Sequence, residues 1–339
     1  MKIALLGAGS FVFGPSLLHD VIVDHRMAGV RLALVDPAAD ACGAMAALGR
    51  RMAADAGVPV SISTHTDRPA ALEGCDFVVC SAARQLHARF AEDCRIAQAH
   101  SPGHMISEFG GIAGISYTLR QIALIEEICA DMRRFCPDAW LLNTANPLPR
   151  VTQAAHELGV RAVGFCSASL YGLNLVWRLL GHDEIDYPFE PARSRLSLTM
   201  GGLNHFSFLT RCEDQDGADV LGEIRRRVEA GATIGQPLSE RLLRQTGYFP
   251  MAGDSHVRDF VPPRGETPSR AAPGHGSAEE RDRRIDLFHE MAAGRLDWRG
   301  ALRNRSWERP ADLIAAMTMG RPARFTSLNL VNEGQVVAL

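Results

Sequence analysis

The chain has no excess of charge, no cysteine pairing pattern, no membrane-length apolar run and no internal repeat, and each absence removes a class of function. Its 36 basic and 39 acidic residues leave a net charge of −3. That balance offers neither an electrostatic footprint for nucleic acid nor a patch for acidic substrates. Eight cysteines are scattered at positions 42, 75, 80, 94, 129, 136, 166 and 212, with no CxxC pair. Such scatter suits a reduced cytoplasmic protein better than a secreted disulfide scaffold. The start, Met1-Lys2-Ile3-Ala4-Leu5-Leu6, reads as a short strand entering a glycine turn, which is the expectation for a chain without a signal peptide. No apolar stretch reaches the length a membrane span requires.

What is present is a 339-residue chain, 46% hydrophobic, long enough for two fused domains with a sizeable core. In the first half, strands are expected at 3–6, 30–35, 58–64, 77–80 and 140–142, and helices at 15–24, 40–56 and 116–135. This alternation predicts α/β structure, a Rossmann-like doubly wound parallel sheet. Residues 163–166 read as the end of a buried strand. The second half reads as α+β, with strands at 196–200 and 206–210 and helices at 220–230, 238–245 and 279–296. The Pro-, Gly- and charge-rich stretch 262–278 reads as a mobile surface loop. The expected division is a nucleotide-binding domain at 1–165 and a metal- and substrate-binding domain at 166–339, an arrangement like that of lactate and malate dehydrogenases.

The glycine turn is Gly7-Ala8-Gly9-Ser10-Phe11-Val12-Phe13-Gly14. Gly7 and Gly9 allow a tight turn and a close backbone approach to a pyrophosphate at a helix N-terminus. The third glycine of the dinucleotide fingerprint would fall at Val12, so the motif is incomplete. A strand before it, a helix after it and Asp36 closing the second strand supply the expected context. A carboxylate at Asp36 can accept from the adenosine ribose hydroxyls and would repel a 2′-phosphate, which favours NAD over NADP. Gly7, Gly9, Ser10, Phe11 and Asp36 are therefore the expected cofactor contacts.

A polar pair, Asn204-His205, stands in the apolar segment Gly201-Gly202-Leu203-Asn204-His205-Phe206. An imidazole so placed needs a partner, and a metal is one natural partner. A second candidate ligand is Cys166, in Val163-Gly164-Phe165-Cys166. Each residue alone also has an ordinary reading as a core side chain. Two protein ligands would leave most of a coordination sphere open, as suits a divalent ion shared with substrate oxygens. A third segment, residues 247–260, crowds Tyr248, Asp254, His256 and Asp259 into a loop-like stretch.

Together with Glu108-Phe109-Gly110-Gly111, Leu119-Arg120 and Thr144-Ala145-Asn146-Pro147, these segments resemble the family 4 glycoside hydrolases. The resemblance runs in order over nearly the whole chain, ending in an Asn-rich stretch at 325–336 with Asn329, Asn332 and Gly334. It implies NAD and a divalent cation, Mn²⁺ by family preference, with Cys166 and His205 as metal ligands. It also implies a glycosidase that does not use the two-carboxylate mechanism. Hydride leaves the sugar C3, the C2 proton is abstracted, the C1 substituent is eliminated, water adds and the hydride returns. Tyr248 is the implied base, Asp254 a further catalytic residue, and Ser167 occupies the position of the acid. Glu108, Arg120, Asn146, Asn204 and His256 are the implied substrate contacts, with Asn146 also beside the cofactor.

Two departures stand out: Ser167 where members often carry His, Asp or Asn, and Ser255 where many carry arginine. A serine hydroxyl is a poor general acid at neutral pH. The chain is expected to be a C-terminally short member and to form a homodimer or homotetramer. Only Arg258 and Arg264 follow Tyr248 as phosphate-binding candidates, so an unphosphorylated hexoside or hexuronide is the expected substrate, with no nucleic-acid or membrane partner. Two alternatives stay open. One is an NAD-dependent hydroxyacid dehydrogenase, with Arg120 gripping a carboxylate. The other is a non-catalytic NAD-binding homologue, suggested by Ser167 and the short C-terminus.

Overall fold

The structure, a computed structural model, describes all residues except 101–105, 184–194, 262–277, 304, 305, 324, 326 and 339. The loop expected at 262–278, and with it Arg264, lies almost wholly outside the described residues. Six strands, β1 (Lys2–Leu6), β2 (Arg31–Val35), β3 (Ser61–His65), β4 (Phe77–Cys80), β5 (Trp140–Asn143) and β6 (Arg161–Phe165), form a parallel array in the order 3-2-1-4-5-6. This is the doubly wound order of dinucleotide-binding sheets. β4, Phe-Val-Val-Cys, is buried along its whole length because helices cover both faces. The sheet does not stop at β6. An antiparallel run follows through β10 (Leu328–Asn332), β11 (Gln335–Ala338), β7 (Ser197–Leu203), β8 (Phe206–Glu213) and β9 (Phe249–Pro250), giving eleven strands.

Register decides what meets at the carboxyl ends of the parallel strands. Leu6 aligns with Val35 and Cys80, Cys80 with Asn143, and Asn143 with Gly164. The residues that leave these strands therefore share one edge: the glycine turn after β1, Asp36 after β2, Asn146 after β5 and Cys166 after β6. Leu328 and Asn329 of β10 pair with Phe165 and Gly164, which joins the antiparallel strands directly to the strand that ends at Cys166.

The helices are α1 (Phe13–His19, continued as a π-turn through Asp20–Asp24), α2 (Ala39–Ala56), α3 (Pro69–Leu72), α4 (Leu86–His100), α5 (Gly111–Phe135), α6 (Leu148–Glu157) and α7 (Ala168–Leu179). Then come α8 (Val220–Glu229), α9 (Pro237–Thr246), α10 (Asp254–Val257), α11 (Ala278–Ala292), α12 (Trp298–Ala301) and α13 (Pro310–Met319). Among the described residues, no helix is long and apolar enough to cross a membrane. The expected strands and helices are present, but α3, α4, α6, α7, α12 and α13 have no counterpart in the sequence reading. α7 is a short, strongly apolar segment buried on nearly every side, and such a run cannot be told from a buried strand by its composition. α6 opens Leu-Pro-Arg directly after Asn146-Pro147, and prolines so dense read as a turn although Pro is tolerated in a first helical turn. The loop-like stretch 247–260 holds β9 and α10.

α11, α12 and α13 pack back on the first half: Ile285, Phe288, Met291, Trp298, Ile314 and Ala315 share one core with β1, β2, α1 and α2. A separate core joins α7, α8 and α9 to β8. The missing third glycine of the dinucleotide turn is made good two residues on. A Cβ on Gly14 would sit 2.7 Å from the Ala8 carbonyl and 2.9 Å from Met45. Gly14 thus permits the close helix–strand packing expected of the third glycine, while Val12 is 49% exposed. Gly172 does the same for α7, where an added Cβ would lie 2.5 Å from the Met251 backbone. Gly172→Ala should therefore push α7 off that backbone and destabilise the fold by about 1–3 kcal/mol. Urea unfolding checks this, and an unchanged midpoint would show that the contact relaxes freely.

Candidate active site

Cys166 leaves β6 just before α7, and His205 lies at the tip of the β7–β8 hairpin. Leu203 pairs with Phe206, so Asn204-His205 is a two-residue turn, and His205 adopts a left-handed φ of +62°. Such a backbone is uncommon for a non-glycine residue and is a form of strain found where structure over-determines a site. The turn brings His205 Nε2 to 3.3 Å from Cys166 Sγ. His205 is 7% exposed, held between the rings of Phe109 at 4.4 Å and His256 at 4.2 Å. Its Nδ1 has no hydrogen-bond partner among the described residues.

Electrostatics in this pocket all run one way. Burial, helped by His256, pushes the His205 imidazole down to about 3, so the ring is neutral at physiological pH. Burial also lowers His256. The Cys166 thiol is pushed up to about 12 by burial and the carboxylates of Glu308 and Glu108, against a hydrogen bond from the Ala168 backbone and the Asn204 amide. Glu108 rises to about 7 through burial and the charge of Asp259, offset by a 2.9 Å hydrogen bond donated by Asn146 Nδ2. Asp259 rises to about 6 through burial, with Ser107 and Arg258 acting the other way. Acidic groups are thus gathered with little cationic compensation, and their ionised forms are unfavourable as they stand. A bound cation would reverse that cost.

The Glu108 loop is fixed from α6. Arg150 Nη2 donates to the Phe109 carbonyl at 2.7 Å, and Arg150 Nη1 to Thr118 Oγ1 at 2.7 Å. Ser107 Oγ accepts from the Gly110 amide at 2.7 Å. Asn146, at a cis Asn146-Pro147 bond, stands at the start of the same helix. At the other end of the sheet edge, Asp36 Oδ2 accepts from the Gly9 amide at 2.9 Å and Oδ1 from the Ala38 amide at 2.9 Å. Ser10 Oγ accepts from the Phe13 amide at 3.2 Å at the start of α1, while the rings of Phe11 and Phe288 lie 5.7 Å apart.

The fold therefore brings Cys166, His205, Asn204, His256, Glu108 and Asn146 together. Three other expected residues are placed differently. Asp254 receives the Leu238 and Ser239 amides and the Ser239 hydroxyl at 2.6–2.8 Å, so its carboxylate anchors the start of α9. Arg120 is engaged by Asp93 and Ser116 between α4 and α5. Tyr248 is 46% exposed, and its phenol makes no hydrogen bond among the described residues. Ser167 donates to Glu308 Oε1 at 2.9 Å. Glu308 is the member sequence reasoning missed: it lies 141 residues from its partner, and no spacing rule links them. The signal available was a glutamate between Trp307 and the Arg309-Pro310 helix start. His19, Asp20 and Asp24 form a second potential cluster, but Arg309 fills it through ion pairs to Asp20 at 2.7 Å and to Asp24.

The family 4 glycosyl hydrolase model matches residues 2–180, and that family's C-terminal domain matches residues 200–339. The chain is 33% identical to an alpha-glucosidase of Erwinia rhapontici over 67% of its own length and 49% of that enzyme. It is 25% identical to an alpha-galactosidase of Bacillus subtilis over 100% of its own length and 78% of that enzyme. The chain thus spans about half the length of the first and nearly four fifths of the second. In fold it resembles a 6-phospho-alpha-glucosidase from gut microorganisms solved in complex with NAD and Mn²⁺. The TM-score is 0.75 at 20% identity, over 99% of this chain and 80% of that one. With the cysteine and histidine of its motifs meeting at the end of a dinucleotide-type sheet, the chain belongs to family 4 of the glycosyl hydrolases.

Proposed function

We propose that the chain is a glycosidase dependent on NAD and a divalent metal, cleaving the glycosidic bond by oxidation and elimination. The observation that carries this reading is the Cys166–His205 pair, 3.3 Å apart amid uncompensated acidic groups. Two donors at that separation can both reach one ion at the usual metal–sulfur and metal–nitrogen lengths of about 2.3 and 2.1 Å. Thiolate plus neutral imidazole also suits a divalent transition metal, and Mn²⁺ is our choice. When bound, NAD would accept and return a hydride at the sugar C3, and the metal would polarise the neighbouring sugar oxygens as a Lewis acid.

The chain's own residues do the rest. Asp36, beside Gly9, accepts from ribose hydroxyls. Glu108, near half-protonation at neutral pH, can donate to or accept from sugar hydroxyls, and Asn146 keeps its carboxyl oriented. Asn204 and His256 border the same pocket. Tyr248 is the base that takes the C2 proton, its uncommitted phenol able to turn onto a bound sugar. Asp254 acts by holding α9, the helix that ends at Thr246 two residues before Tyr248, and Arg120 by joining α4 to α5 behind the Glu108 loop. An unphosphorylated hexoside or hexuronide fits best, because Arg258 donates to the Asp254 carbonyl at 3.1 Å and lies near Asp259.

We assign the boundary between the nucleotide-binding and substrate-binding parts to the end of β6, and eight free cysteines support a reducing cytoplasmic setting. Self-association is supported by the exposed face of α5, where Ile112, Ile115 and Leu119 are 61%, 57% and 63% exposed at helical spacing. Leu119→Glu should shift the protein towards monomer in light scattering. An unaltered mass would remove α5 from the interface.

The decisive assay is a panel of nitrophenyl α- and β-glycosides, glucuronides and 6-phosphoglycosides with NAD⁺ and Mn²⁺ under reducing conditions. Hydrolysis of one member should vanish when either cofactor is omitted, and Tyr248→Phe should lower kcat by roughly 10²–10⁴ and stop C2 proton exchange with solvent. No hydrolysis of any member overturns the reading. Metal binding gives an independent check. The Cys166 thiol, at about 12 without metal, must lose its proton to bind, whereas His205 is already neutral. Calorimetry in buffers of different ionisation enthalpy should therefore find more than one proton released per Mn²⁺ near neutral pH, one from Cys166 and a fraction from Glu108, and affinity rising with pH. Cys166→Ser should lower the release by about one proton.

A further inference from the structure

Gln121 is 2% exposed and stands on α5 one turn before Leu124 and Ile125. Those two share a core with Leu6, Val35 and Cys80, the last residues of β1, β2 and β4. The Gln121 amide reaches the edge loop that follows β4. Its Nε2 donates to the Ala82 carbonyl at 3.2 Å, and its Oε1 has no hydrogen-bond partner among the described residues. A carbonyl can only accept, so Ala82 fixes which way the amide points and leaves the oxygen free.

Ala82 is itself a wall of the glycine turn. Gly7 has a left-handed φ of +80°, and a Cβ there would lie 2.9 Å from the backbone of Ser81 and Ala82. Ser81 Oγ closes this contact by donating to the Leu6 and Gly7 carbonyls at 3.2 and 3.3 Å. On the other side, a Cβ on Gly9 would lie 2.8 Å from Asp36 Oδ2. The turn is thus a cradle between two walls that side chains at positions 7 and 9 would fill, as a bound dinucleotide requires, and Gln121 braces one of those walls. Packing alone does not explain an amide there. A neutral hydrogen bond at 3.2 Å returns less than an unpaired buried acceptor costs, and an apolar side chain of the same length would fill the space without that cost.

We propose that Gln121 is a dinucleotide-binding residue, its amide held by Ala82 so that Oε1 offers an acceptor to an N–H or O–H donor of bound NAD. The fold carries the cost of the unpaired oxygen, and the cofactor removes it. Gln121 thereby adds a contact from α5 to those of the glycine turn and Asp36, and it couples cofactor binding to the β4 edge loop. The inference rests on the NAD dependence in the reading above and concerns binding of the cofactor alone, without metal or sugar.

The test sets cofactor affinity against stability, because a ligand contact and a packing contact move them differently. NAD⁺ is titrated by calorimetry into the full chain without metal, and urea unfolding is followed on the same samples without NAD⁺. Gln121→Met, which keeps the length and removes both polar atoms, should weaken NAD⁺ binding roughly tenfold and leave the urea midpoint unchanged or raise it. NAD⁺ affinity within about twofold of the unaltered protein overturns the assignment while leaving the glycosidase reading intact. So does a fall in affinity accompanied by a fall in the midpoint, which is the mark of a packing role. Should Gln121→Met not fold, Gln121→Asn, which keeps the amide but withdraws it by one methylene, decides by the same comparison. Failure of the unaltered protein to bind NAD⁺ overturns the NAD-dependent reading itself, and this contact with it.

Discussion

The rest of the site depends on one contact, the approach of Cys166 to His205 at 3.3 Å. Neither residue could hold it alone. Cys166 stands where it does because β6 is the last parallel strand, and His205 because a two-residue hairpin turns there with a left-handed backbone. What joins them is the sheet, through the antiparallel pairing of Leu328 and Asn329 with Phe165 and Gly164 and the single pair linking β11 to β7. The late strands thus bridge a cysteine and a histidine that are 39 residues apart in the chain.

Burial around that contact has a consistent chemical direction. Cys166, Glu108, Asp259 and Glu308 are all shifted towards their protonated forms, and His205 and His256 towards neutrality. Desolvation is the first cause in each case. Elsewhere charged groups are held by several partners, Arg309 by three aspartates, Arg120 by Asp93 and Ser116, and Glu240 by the Thr233 hydroxyl and the Ile234 amide. The contrast separates side chains that hold the fold from side chains available to a ligand. Asp254 and Arg120 anchor helices, whereas Glu108 has a single side-chain hydrogen bond, from Asn146, and His205 Nδ1 has no partner among the described residues.

Most of the parallel strands were legible because they are short apolar runs near Gly, Asp or Asn, although β3, Ser-Ile-Ser-Thr-His, is largely polar. The hydrogen bond from the Gly9 amide to Asp36 emerged only in the fold. The third glycine was not legible, because the helix begins at Phe13 and the close contact falls at Gly14, against the Ala8 carbonyl. α7 was hidden because it is a short, strongly apolar run, which reads alike as a buried strand or a buried helix. The 247–260 segment looked like a polar loop because β9 contributes only two residues and α10 one turn.

Sequence by itself determined the family pattern, the alternation that makes a parallel sheet, and the identity of the cysteine, histidine, glutamate and asparagine that gather at its edge. The alternation follows from side-chain period and turn chemistry, whereas the family pattern, the glutamate and the asparagine follow from the resemblance of ordered motifs to the family 4 glycoside hydrolases. Only the tertiary structure decided which charged groups are already partnered and which are not. It engaged Asp254 and Arg120, clamped the Glu108 loop with Arg150, and set Glu308 against Ser167 across 141 residues. Hydrogen-bond partnership and desolvation belong to the packed state, where they depend on which distant surfaces are pressed together, and no local pattern encodes that.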